Sequence, residues 1–353
     1  MERSWSPAAT WPDCRGCARF ADGLTSGLTS GAFGLYIGRE IASAFGPAER
    51  RLWRKAPVIL IYHRVDDPQA DFWGITVGPD RFAEQIEALT TVRRVLPLGE
   101  LAAAAASGRR YDRPLAAVTF DDGYHDVFDA ARPILERFDC PATVFMVTDM
   151  VDAAREFWWD EVASIFLGTP QLPAELELDL GERTAQLRFA DGDPAPRIGA
   201  CHGLRHFFLS LPSDEIESRL ATLRAWAGVD RAARPSHRAM TSAEVAALGG
   251  GPIEVGAHTA SHPVLTALDP ASQRREIEAS RAACEALTGR PAPYFAYPFG
   301  RYDRSAWRAV REAGFAGACA TIPGPVLRTA DPFLLPRFAP EQMDGEQLAR
   351  ALS

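Results

Sequence analysis

Leu115-Ala-Ala-Val-Thr-Phe-Asp-Asp-Gly123 runs from an apolar segment rich in β-formers straight onto two adjacent carboxylates and a glycine. A short apolar run bounded by turn residues predicts a strand buried on both faces. Asp121 and Asp122 then lie at the strand's C-terminal end, the rim on which helix-covered parallel sheets and barrels build their sites. Two neighbouring carboxylates repel, so holding both there costs stability unless a cation or proton is shared. Asp-Gly is also a common turn pair, and alone the stretch reads equally as a simple turn.

A second stretch favours the site reading. Ile253-Glu-Val-Gly-Ala-His-Thr-Ala-Ser-His262 also passes from a short strand pattern into a polar end carrying His258 and His262. Histidines four apart share a face if the segment turns helically, and neutral imidazole is the commonest metal ligand. The chain has seven histidines, so a pair at this spacing after a strand points to a metal site. One carboxylate with two imidazoles leaves open coordination positions, which a hydrolytic centre needs and a closed structural zinc site lacks.

Taken together, Thr119-Phe120-Asp121-Asp122-Gly123 and His258-Thr259-Ala260-Ser261-His262 resemble the polysaccharide deacetylases of the NodB-homology group, carbohydrate esterase family 4. The resemblance runs from Pro57 to Phe338. It implies an α/β fold: a distorted (β/α) barrel of about seven parallel strands. By the same resemblance Asp121 is a general base, Asp122, His258 and His262 hold a divalent metal (zinc by default), and the Phe299 backbone N–H serves a developing oxyanion.

The remaining chain fits one barrel over 51–353, with a largely helical insertion at about 152–250. Pro57–Tyr62 is a buried-strand pattern ending at His63. Asp80 reads as the N-cap of a helix carrying Phe82, Ile86 and Leu89 on one face. A helix over Asp126–Phe138 and a strand over Ala142–Val147 continue the alternation that marks a parallel sheet or barrel. In the insertion, Leu176–Leu180 and Ala185–Phe189 suggest a hairpin, followed by helices near His202–Leu211 and Asp214–Ala227. Trp158 and Trp159 suit either a sugar-stacking wall or an anchor to the core. Asp269-Pro270 opens a helix, Tyr294–Gly300 is a strand entering a tight turn, and Phe315–Ala320 and Phe333–Phe338 are the last strands.

Residues 1–50 form an extension of unassigned role. They lack a charged n-region followed by a compact apolar core, which argues against a cleavable signal and for the cytoplasm. Gly23 to Gly38 falls short of the roughly 18–20 apolar residues of a membrane span. Composition suits a globular enzyme, with 353 residues, 47% hydrophobic and 24% charged. A net charge of −8 without a basic block makes nucleic acid an unsuitable partner. Six scattered cysteines give no disulfide framework, and nothing in the sequence fixes an oligomeric state.

Two departures from the family pattern bear on chemistry. Ala296 stands where the family's motif arginine belongs, so Arg337 or Arg301 must orient the base. No histidine follows His262, where the family's usual acid lies. Amide hydrolysis still needs a proton donor for the leaving nitrogen. His63 is the one remaining histidine that ends a predicted core strand outside the insertion. Leu60-Ile61-Tyr62-His63-Arg64-Val65 resembles the opening strand of the poly-N-acetylglucosamine deacetylase branch, where the acid-bearing strand comes first, as in a circularly permuted barrel. His125, on the outward start of a helix, is its rival. The expected activity is metal-dependent removal of N-acetyl groups from an amino-sugar polysaccharide. The alternatives are a metal-dependent amidase on a non-sugar amide, or a carbohydrate-binding relative with a decayed site.

Overall fold

The computed structural model describes residues 52–67, 71–109, 111–179, 184–190, 193–230, 233–249, 251–340 and 343–353. The expected N-terminal extension therefore lies outside the described residues.

Six parallel strands follow one another around a curled sheet: β1 (Val58–Tyr62), β2 (Leu115–Phe120), β3 (Ala142–Met146), β4 (Ile253–Ala257), β5 (Tyr294–Ala296) and β6 (Gly317–Cys319). The two-residue strand Arg94–Val95 runs beside the start of β2. Every residue of β1, β2 and β3 is buried, as their unbroken apolar runs require of strands covered on both faces. Phe333–Phe338 is less regular than its sequence suggested. It forms single bridges, Leu335 to Cys319 and Phe338 to Leu60, so this segment spans from β6 back to β1. Phe338 N donates to Ile59 O at 2.8 Å and Ile61 N to Phe338 O at 2.9 Å. Pro336 lies between the two bridges and, lacking an N–H, cannot extend a ladder.

Helices cover the outside, and two of their starts differ from expectation. The helix Pro79–Val92 is capped by Gly78 rather than Asp80, because proline at the first helical position presets φ and starts the helix earlier. The helix after β2 opens as a π-turn over Val127–Ala131 before becoming α over Arg132–Arg137. Asp269 caps Pro270–Thr288 as expected, accepting from Ala271 N and Ser272 N.

Between β3 and β4 lie an antiparallel hairpin, Glu175–Asp179 with Thr184–Arg188, and two helices, Ala195–Phe208 and Ser213–Ala227. They bury an apolar cluster of their own, including Phe166, Leu178, Leu204, Phe208 and Leu223.

Arg93 is fully buried and ties distant parts of the chain together. Its guanidinium donates to the carbonyls of Trp53 (2.5 Å), Ala56 (2.8 Å), Leu115 (3.1 Å) and Leu352 (2.9 Å). Burial lowers its pKa to about 10. No helix among the described residues is long and apolar enough to cross a membrane.

Candidate metal centre and active site

The site forms on the rim where β1, β2, β4 and β5 end. Asp121 N donates to Tyr62 O at 2.9 Å, fixing the first carboxylate beside the end of β1. The chain then turns sharply, with Asp122 at φ 72° and Gly123 at φ 79°. Only glycine suits the second position, where a Cβ would meet the Met146 thioether at 2.5 Å. This turn points the adjacent carboxylates at different partners.

Asp121 faces Arg337. The guanidinium donates to Asp121 Oδ1 at 2.6 Å and Oδ2 at 2.7 Å, to Thr119 Oγ1 at 3.3 Å and to Ala320 O at 3.0 Å. Both partners are buried, at 1% and 3% exposure. Burial alone would raise the pKa of Asp121. The charge and hydrogen bonds of Arg337, with smaller help from His258 and His63, bring it down to about 2.

Asp122 faces the histidines. Its Oδ1 lies 3.5 Å from His258 Nε2 and 3.3 Å from His262 Nε2, and the two Nε2 atoms are 3.2 Å apart. Among the described residues this is the one set of three side chains whose donor atoms could hold a metal ion. His258 Nδ1–H donates to Ala296 O at 2.7 Å, which leaves the Nε2 lone pair directed at Asp122. Burial lowers the pKa of His258 to about 4, so it is neutral near pH 7, as a ligand must be. The donor set fits a divalent cation.

The 258–262 segment is not the helical turn that its spacing suggested. It is an irregular loop with left-handed Thr259 (φ 68°) and His262 (φ 61°). Glu276, on the helix Pro270–Thr288, holds it by accepting from Ala260 N (2.9 Å), Ser261 N (2.9 Å) and Ser261 Oγ (2.8 Å). His262 N donates to Thr259 Oγ1 at 3.0 Å. Sequence spacing gave no sign of Glu276. Asp122, Thr259, His262 and Phe299 are four of the six non-glycine residues with positive φ among the described residues, so backbone strain is concentrated here.

The Phe299 ring lies 4.6 Å from His262 and that of Trp159 lies 4.9 Å from it on T-shaped contacts. Phe299 sits at φ 55° in a tight turn with Gly300 at φ 65°. Trp159 is buried, and its Nε1–H donates to Tyr124 Oη at 2.8 Å; Tyr124 donates in turn to Asp160 Oδ2 at 2.6 Å. Burial raises the Asp160 pKa to about 7. Trp158 packs edge-on against Trp159 and Phe208, joining the insertion to the rim.

His63 follows Tyr62, which is in register with Phe120, so it lies at the rim next to Asp121. Its charge contributes to the lowered pKa of both Asp121 and Asp122. His125 instead bonds Asp129 at 2.7 Å and Arg238 at 2.7 Å. Arg337 is the guanidinium on Asp121 among the described residues, and Arg301 is not engaged there.

A family model described as polysaccharide deacetylase matches residues 108–168 and 233–318. These segments contain Asp121, Asp122, His258 and His262, and the gap between them falls within the insertion. The chain belongs to the polysaccharide deacetylase family. This is the NodB-homology group, carbohydrate esterase family 4, and by that membership the chain is a deacetylase enzyme. No curated protein matches it in sequence. Solved deacetylase structures share its fold. A Streptococcus pyogenes deacetylase, PplD, in complex with acetate is 17% identical with a TM-score of 0.57, covering 85% of this chain and 99% of its own. IcaB from Ammonifex degensii is 19% identical with a TM-score of 0.54, covering 85% and 98%. A polysaccharide deacetylase from Bacillus cereus is 18% identical with a TM-score of 0.54, covering 85% and 69%.

Proposed function

We propose that this deacetylase removes N-acetyl groups from an N-acetylated amino-sugar polysaccharide, with Asp122, His258 and His262 holding a divalent ion, zinc by default. The convergence of Asp122 with both Nε2 atoms, beside an Arg337-paired Asp121, carries the reading. A bound divalent ion supplies Lewis acidity that polarises the acetyl carbonyl and acidifies water.

The side chains then have separable tasks. Arg337 keeps Asp121 ionised across the neutral range. Each carboxylate oxygen retains a lone pair beyond its bond to the guanidinium, so Asp121 can still accept a proton from the attacking water. The Phe299 amide donates to the carbonyl oxygen as charge develops on it. The carbon–nitrogen bond then breaks as His63, protonated, gives its proton to the leaving sugar nitrogen, yielding acetate and a free amine. The ordering of β1 ahead of the carboxylate strand supports a permuted arrangement in which the acid comes first in the chain.

Acetate release from N-acetylglucosamine oligomers, measured beside simple amides of similar leaving group, tests the proposal. Oligomer-selective release that is lost on chelation and restored by zinc is expected. Equal turnover of simple amides would instead make the chain a general amidase.

A further inference from the structure

The two histidines of the candidate metal centre are held by different means. His258 is fixed by a hydrogen bond, Nδ1–H to Ala296 O at 2.7 Å. His262 has no counterpart to it: its Nδ1 is buried and has no hydrogen-bond partner among the described residues. A ligand imidazole is ordinarily oriented by the bond that its second ring nitrogen makes. Here aromatic rings stand in that place. Phe299 lies 4.6 Å from the His262 ring at 74°, Trp159 4.9 Å at 60° and Phe157 6.3 Å at 70°, all edge-to-face. Close packing fixes a side chain by leaving its other rotamers no room.

Of these rings, Trp159 carries a lock of its own. Its Nε1–H donates to Tyr124 Oη at 2.8 Å, and Tyr124 donates to Asp160 Oδ2 at 2.6 Å. Phe157 stacks on the indole at 4.7 Å and 10°. Trp73 Nε1–H holds the Trp159 carbonyl at 3.1 Å. Trp159 is 6% exposed, so little of its face is open to a sugar. Trp159 and Asp160 both lie on the helix Trp158–Ala163, inside the insertion. The two ends of the insertion meet beside that helix. Arg234 donates to Glu156 Oε1 at 2.8 Å, to Glu156 Oε2 at 2.7 Å and to Asp160 O at 3.2 Å. The barrel thus contributes the candidate ligands, and the insertion contributes the ring against one of them.

We propose that Trp159 is a positioning residue of the metal centre. With Phe299 it clamps His262 in the rotamer that turns Nε2 toward Asp122, and the Tyr124–Asp160 relay keeps the indole in place. The insertion is then a working part of the site. This rests on the reading of Asp122, His258 and His262 as metal ligands.

The test uses the full chain and needs no polysaccharide. Zinc affinity is read by chelator competition, and the ligand geometry by the absorption spectrum of cobalt(II) bound in zinc's place. Trp159→Ala should weaken zinc binding about 10–100-fold, the usual effect of losing a support to a ligand, and should alter the cobalt spectrum. Trp159→Phe and Tyr124→Phe, which keep their rings and break only the lock, should fall between. Their double variant should be no worse than either, since both remove the same bond. Asp160→Asn, which keeps an oxygen acceptor, should lie closer to the parent than Asp160→Ala. Leu204→Ala is the control for general loosening, because Leu204 is buried in the insertion's own apolar cluster. It should lower the urea midpoint and leave zinc affinity and the cobalt spectrum unchanged. Parental affinity and spectrum in Trp159→Ala, or equal losses in Leu204→Ala, overturn the clamp alone. A parent chain that binds neither ion overturns the metal reading, and the clamp with it.

Discussion

Replacing Arg337 with methionine removes a long cation while keeping an apolar stem in its place. The variant loses two short bonds to Asp121 and those to Thr119 and Ala320. It also strands a carboxylate that is 3% exposed. Breaking one side of a buried pair typically costs about 3–5 kcal/mol. The pH dependence gives a second handle. Asp121 has its pKa lowered from 3.8 to about 2, so its contribution is present above the unfolded value and lost as pH falls through about 2. That shift corresponds to proton-linked stability on the order of 2–3 kcal/mol. Urea denaturation at neutral pH should therefore show Arg337→Met destabilised by about 3–5 kcal/mol. Adding Asp121→Asn to it should recover a large part of the loss, since the stranded charge is gone, while activity stays absent. Additive destabilisation in the double variant would refute the claim that these two groups act as a unit.

Other outcomes follow from neighbouring contacts. His63→Ala should cut kcat by about 10²–10⁴ while metal affinity measured by chelator competition is retained; near-native turnover would remove His63 from the acid role. Glu276→Ala releases three donors of the 258–262 loop and should weaken metal affinity about 10–100-fold, as loss of supporting contacts does elsewhere. Glu276→Gln, which keeps an acceptor, should lie between the two, and unchanged metal titrations in both variants would show that the clamp is dispensable. The Asp160 pKa is raised from 3.8 to about 7, so its contribution is full below pH 4 and lost as pH rises through about 7. Asp160→Asn should thus gain stability relative to the parent between pH 5 and pH 8, checked by urea midpoints at both. A constant difference across that range would argue that Asp160 does not titrate there.

Much of the barrel was legible because burial leaves a direct mark on composition. β1 and β2 read as strands from apolar runs, and the insertion's hairpin shows the alternating burial its pattern implied. The pairing of Asp121 with Arg337 joins residues 216 apart, and only the curl of the sheet brings them together. Ala296 flagged that a cation was missing without choosing between Arg337 and Arg301. The left-handed backbone at Asp122, Thr259 and His262 was hidden because tertiary contacts impose it against local preference. Spacing therefore found the histidine pair while suggesting the wrong path between its members.

The guanidinium of Arg93 also bears on how such a barrel tolerates rearrangement. Trp53, ahead of the first strand, and Leu352, in the last helix, both place carbonyls on the same nitrogen of that side chain. Opposite extremes of the described polymer are thus neighbours in space, and a short linker could splice them. A chain cut open instead at a surface loop and joined here would keep every strand neighbour. Relocating the termini would then change the order of synthesis and leave the reacting groups where they are.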